Sequence, residues 1–299
     1  MPRASGGCRR GCALSPEPAA GEPAIALAAG ERLVALKWHQ LRRRREDPVF
    51  ARANLKAGLA AGAALEVDLV ATADGDLVCL HELTLDEETT GHGPVAAQPS
   101  AAVLALRQRD AAGRPTGSPV LSLGELVQML RASPPPGRPD GRIQLDLKEP
   151  PAGITPEVCR RFAATIGELG AWFTLSGPSW PAVQHLAAAV PGLFTGFDPE
   201  DAIEGGMAPE EVPGFALQTA PSARIFYLHH GFVLVCLAGG QNPIAPLRAA
   251  GRRVDCWTLD ADHDRVLDKL EALIAAGADQ ITTNDPERLA KLWRRRSGP

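Results

Sequence analysis

At 299 residues, 45% of them apolar, the chain is long enough to bury one large core or two ordinary ones. A formal charge of −4 argues against a nucleic-acid-binding protein, and no run approaches the ~18 apolar residues of a membrane span. The six cysteines, at 8, 12, 79, 159, 236 and 256, match no zinc-site spacing and point to free thiols in a reducing, cytoplasmic compartment.

In chain order, residues 1–30 are rich in Ala, Gly, Pro and Glu and are expected to form a disordered or loosely packed leader, with the folded domain over 31–299. Arg3, Arg9 and Arg10 are followed by no apolar run, so the leader is a poor signal peptide. Leu33–Trp38 reads as a strand, and the basic run Arg42–Arg45 after it is either a solvated loop or a phosphate-attracting rim. Ala51–Ala61 reads as a helix closing near Gly62. Leu65–Ala71 and Leu77–Leu80 read as strands about a tight turn at Ala73-Asp74-Gly75. Residues 83–118 break the rhythm and are expected to be a loop-rich insertion. Ser122 is placed to cap a helix over Leu123–Arg131, with Glu125 completing a capping box. Strands are then expected at Ile143–Leu147, Trp172–Leu175, Leu193–Phe197, Ile225–Leu228, Val254–Leu259 and Gln280–Thr283, with helices at Trp180–Ala189 and Arg265–Ala276. With the 65–80 hairpin counted once, these make eight strand units, which suggests an α/β fold of the (β/α)8 TIM-barrel type. A doubly wound sheet fits the alternation nearly as well, but no glycine-rich dinucleotide fingerprint follows the first strand.

The polar residues that end these strands carry the chemistry. Glu66 and Asp68 sit two apart on an apolar strand, so both leave the same face of the sheet. Taken alone, such a pair is often a solvent face; between Leu65, Val67 and Leu69 in a barrel wall it needs a partner or a metal. His39 ends the first strand and His81 follows the second hairpin strand. Asp146 and Lys148 end the third, where they could also be a plain ion pair. Trp257 and Thr258 end the seventh, where Trp257 could also be core. A barrel would bring these side chains to one mouth, at the C-terminal strand ends.

The chain resembles the glycerophosphodiester phosphodiesterases, a TIM-barrel superfamily that also holds the sphingomyelinase D-type phospholipases. The resemblance rests on His39, Glu66-Val67-Asp68-Leu69-Val70, Thr72-Ala73-Asp74-Gly75, His81, Thr89-Thr90-Gly91, Pro119–Leu123, Asp146-Leu147-Lys148, Trp257-Thr258-Leu259 and Gly277–Pro286. It implies that His39 and His81 are the acid/base pair. It further implies that Glu66, Asp68 and Asp146 bind a divalent cation, Mg²⁺ or Ca²⁺, that Lys148 contacts phosphate, and that Trp257 lines the organic part of the substrate. The implied substrate is a small glycerophosphodiester or lysophospholipid, and the implied product is glycerol 3-phosphate. The chain departs from the family where Gln40-Leu41 replaces Arg-Gly after the first histidine and Glu82 replaces Asp after the second; the lost arginine would weaken the grip on phosphate. The alternatives are a lyase of the same superfamily that forms a cyclic phosphate, and a non-catalytic barrel that binds a phosphorylated ligand.

Overall fold

A computed structural model of the protein describes residues 24–110 and 112–297. Eight parallel strands close on themselves: β1 Arg32–Trp38, β2 Ala64–Ala71, β3 Ile143–Leu147, β4 Phe173–Ser176, β5 Phe194–Phe197, β6 Ile225–His229, β7 Arg253–Trp257 and β8 Gln280–Thr283. Each pairs with the next, and β8 pairs back with β1, so the fold is a (β/α)8 barrel. The longer helices outside it are α1 Arg52–Ala61, α2 Leu123–Ala132, α3 Pro156–Ile166, α4 Trp180–Ala187, α5 Val212–Thr219, α6 His230–Ala238, α7 Val266–Ala276 and α8 Pro286–Ser297.

The barrel wall follows from alternation. All of β2 is buried, and Leu65, Val67, Leu69 and Ala71, of one parity, join the apolar layer between strands and helices. Glu66 and Asp68 take the other parity. The barrel interior is polar: buried Lys37 lies 3.2 Å from Asp255 Oδ2 and also donates to Gln144 Oε1. Asp255 accepts further from Gln280 Nε2 at 2.5 Å and Thr282 Oγ1 at 2.7 Å, so the buried charge is fully partnered. This network makes the floor on which the site rests.

Several expectations change. The leader boundary falls too late: Ala26–Ala29 is a strand, paired antiparallel with Arg32–Ala35 through a turn at Gly30, whose φ is +61°. The alanines carry no strand propensity of their own, and the pairing follows from the turn. Residues 1–23, with Cys8 and Cys12, lie outside the described residues. The hairpin strand after β2 covers Leu77–Val78 only, so His81 stands in a loop. Ser122 Oγ does cap α2, accepting from Glu125 N at 3.0 Å, but the Glu125 carboxylate turns to Arg52 instead of closing a capping box. Residues 83–118 hold two short helices and a hairpin, Arg107–Arg109 with Pro115–Pro119, over a small separate core that includes Val70, Val78, Leu80 and Val95. Helices α3, α5, α6 and α8 had no counterpart in the sequence reading. Among the described residues, no helix is long and apolar enough to cross a membrane.

Candidate active site

Glu66 and Asp68 project into the barrel, 3% and 1% exposed. The parallel register sets Asp68 beside Asp146 of β3 and Glu66 beside Gln144. One carboxylate oxygen from each of Glu66, Asp68 and Asp146 lies within 4.8 Å of the others. Burial first, then repulsion from Asp68 and Asp146, holds the Glu66 carboxyl well above the usual carboxylate range. Lys148, just beyond β3, places Nζ 2.6 Å from Asp146 Oδ2 and 2.9 Å from Asp68 Oδ1. Burial works to lift the Asp146 carboxyl too, but the charge and hydrogen bond of Lys148, with the Ser176 hydrogen bond and the charge of Lys37, together outweigh it and leave the group below its ordinary value. The Lys148 ammonium is itself raised: burial pulls it down, and the two carboxylates more than reverse that. With all three carboxyls ionised, as a bound cation would require, three carboxylates and one ammonium leave the cluster two positive charges short. An all-oxygen donor set with that deficit suits one hard divalent cation.

His39 begins the turn that ends β1. Its Nδ1 lies 2.8 Å from Asn284 Oδ1. The orientation of the Asn284 amide is set from both sides, because Arg42 Nη1 donates to its Oδ1 at 2.9 Å and its Nδ2 donates to Asp260 Oδ2 at 2.9 Å. A carbonyl oxygen only accepts, so His39 Nδ1 carries the hydrogen and Nε2 is left with a free lone pair. Burial pulls the His39 imidazole below its ordinary value, against the Asn284 hydrogen bond and Asp68, which raise it. His81 is different. It is exposed at the rim, with Nδ1 2.8 Å from Glu82 Oε1. The backbone N–H groups of His81 and Glu82 both donate to Glu88 Oε2 at 2.8 Å, which fixes the loop.

All seven residues singled out in the sequence, His39, Glu66, Asp68, His81, Asp146, Lys148 and Trp257, line one cavity of about 420 Å³, and Thr258 joins them. The structure adds residues that the sequence did not offer. Ser176 Oγ donates to Asp146 Oδ1 at 2.6 Å, and Gln144 Nε2 supports Ser176 at 2.8 Å. Asp198 lines the far wall, where burial, then Glu200, lifts its carboxyl well above the usual range. Gln40 corrects an expectation. It is 8% exposed, its backbone N–H donates to Glu66 Oε2 at 2.6 Å, and its side chain donates to Asp68 Oδ2 at 2.9 Å. Position 40 therefore serves the carboxylates. The turn is strained to allow this: Gln40 and Leu41 both have left-handed backbone, with φ of 50° and 59°, at a cost of ~1–3 kcal/mol for each non-glycine residue. The Ser176 and Gln40 contacts depend on which strands lie side by side, and no local pattern signals them. Asn284 was visible as part of Thr282-Thr283-Asn284-Asp285-Pro286, but not as the partner of His39.

No model of a known family and no curated protein sequence matches this chain. Solved structures do. A putative glycerophosphoryl diester phosphodiesterase from Silicibacter pomeroyi DSS-3 superposes with a TM-score of 0.70 at 20% identity, covering 90% of this chain and 95% of that one. A second putative glycerophosphoryl diester phosphodiesterase, from Agrobacterium tumefaciens, gives 0.66 at 20% identity, covering 88% and 98%. A phosphodiesterase from Oleispira antarctica, in complex with the product sn-glycerol-3-phosphate, gives 0.59 at 17% identity, covering 86% and 95%. The likeness runs over nearly the whole length of both partners, and it establishes that this chain has the (β/α)8 fold on which those phosphodiesterases are built.

Proposed function

We propose that the protein is a divalent-cation-dependent phosphodiesterase that hydrolyses glycerophosphodiesters to glycerol 3-phosphate and an alcohol. The observation that carries this reading is the meeting of two buried carboxylates, a third partly buried one, an ammonium and two imidazoles in one cavity. A binding module has no use for two histidines that each have one ring nitrogen held and the other left over. The fold neighbours, one of them bound to sn-glycerol-3-phosphate, support the substrate class.

Glu66, Asp68 and Asp146 would hold the cation, Mg²⁺ or Ca²⁺, which when bound neutralises the phosphodiester charge and orients its oxygens. Lys148 adds a second positive contact to the phosphate. His39 Nε2, whose lone pair the Asn284 contact leaves available, takes the proton from water as it attacks phosphorus. His81 gives a proton from Nε2 to the alkoxide as the P–O bond breaks, and the Glu82 carboxylate offsets the imidazolium charge. Trp257 lines the wall beside the organic group.

The deciding experiment is release of glycerol 3-phosphate from glycerophosphocholine, followed by phosphorus NMR. We expect turnover that chelator abolishes and Mg²⁺ or Ca²⁺ restores. Full turnover after exhaustive chelation would remove the metal from the mechanism, and a cyclic phosphate as end product would make the enzyme a lyase. No turnover of any glycerophosphodiester would leave a phosphate-binding barrel.

A further inference from the structure

The contacts of Gln40 assign it a task that its neighbours do not perform. One residue donates to both carboxylates of β2, through the backbone to Glu66 Oε2 and through the side-chain amide to Asp68 Oδ2. The second oxygen of Asp68 is taken by Lys148, and both oxygens of Asp146 are held, by Lys148 and Ser176. Each of these carboxylates is therefore fixed in rotation before any ion arrives. Among the described residues, Lys148 is the cation whose ammonium pairs directly with the triad, while Lys37 pairs with Asp255. Gln40 orients two acids and adds no charge.

We propose that Gln40 is a positioning residue that presets Glu66 and Asp68 for a divalent cation and, by being neutral, keeps the cluster two positive charges short. This rests on the reading of the triad as a cation site, though not on the reaction performed there. A cationic residue at position 40 would supply half of the missing charge permanently. It would relieve repulsion among the buried acids in the cation-free protein and weaken the attraction for a divalent ion. Stability and affinity then move in opposite directions, which a residue that merely packs cannot cause.

The test is calorimetric titration of the chelator-treated full chain with MgCl₂ and with CaCl₂, paired with thermal melts in chelator. Gln40→Arg is expected to lose at least tenfold in cation affinity and to melt above the wild type when cation-free. Gln40→Met keeps the volume but leaves Asp68 Oδ2 without its amide donor. It is expected to melt below the wild type and to lose less affinity than the Arg variant. Should the Arg variant fail to fold, Gln40→Lys carries the same expectations. Failure of either the affinity loss or the raised melt in the cationic variant overturns the proposal, as does a wild type that binds neither ion. A wild type that binds cation, with the cationic variant behaving as expected but no phosphodiester turned over, upholds this inference and overturns only the proposed reaction.

Discussion

The two histidines line one cavity but stand in opposite surroundings. His39 belongs to the barrel. It follows β1 directly, Asn284 from the end of β8 holds its ring, and Arg42 and Asp260 hold Asn284 in turn. His81 belongs to a loop. It is about half exposed, and its partner Glu82 is equally exposed. A side chain locked by neutral and charged neighbours in a buried network has one geometry. A side chain in a surface ion pair keeps its freedom, because water can replace its partner. Under the proposed reaction the contrast divides the labour: a fixed base beside the carboxylates, and an adjustable acid at the rim where alcohols of different size would leave.

The largest effects test whether both histidines are needed at all. His39→Ala and His81→Ala are each expected to lower kcat by roughly a thousandfold, within the ~10²–10⁴ that acid/base groups contribute. Melting temperatures should stay near wild type for His81→Ala. Near-normal turnover in either variant would end the division of roles.

Asn284→Ala is the next largest. It leaves the His39 ring unheld and is expected to lower kcat by about ten- to a hundredfold, which corresponds to ~1.4–2.7 kcal/mol of transition-state stabilisation. Its pH profile has a definite sign. Burial already lowers the His39 imidazole, so the neutral base persists below the ordinary value and the acid limb of kcat lies on that side. The Asn284 hydrogen bond opposes this by raising the group. Removing it should move the limb further toward acid while activity falls. A limb that stays in place would show that Asn284 supports the fold and not the ring.

The same contrast explains what could be read from residues alone. The barrel strands show because strands buried on both faces are apolar runs, against which Glu66 and Asp68 stand out. His39, Asp146, Lys148 and Trp257 show because they punctuate the ends of such runs. Contacts made across the barrel do not show: Asn284 is 245 positions from His39, and Ser176 meets Asp146 only through the β3–β4 register. Gln40 was the instructive miss. By residue type it looked like a lost phosphate contact, and only the left-handed turn turns its amide onto Asp68. Helices α5 and α6 escaped for a different reason. α6 is apolar nearly all round, so it carries no stripe, and α5 follows Glu211, whose side chain makes no cap.

Glu82→Gln should give the smallest effect and the sharpest view of the rim. Glutamine keeps an oxygen that can accept from His81 Nδ1, so the ring keeps its orientation and loses only the facing charge. Exposed ion pairs contribute ~0–1 kcal/mol, so the expected loss in kcat is no more than about fivefold. That loss should shrink further in high salt, where the wild-type pair is screened as well. A loss as large as that of Asn284→Ala would mean that His81 is drawn into a closed, water-poor site once substrate binds. The rim loop, held by Glu88 on two backbone N–H groups, would then work as a second fixed wall instead of an adjustable one.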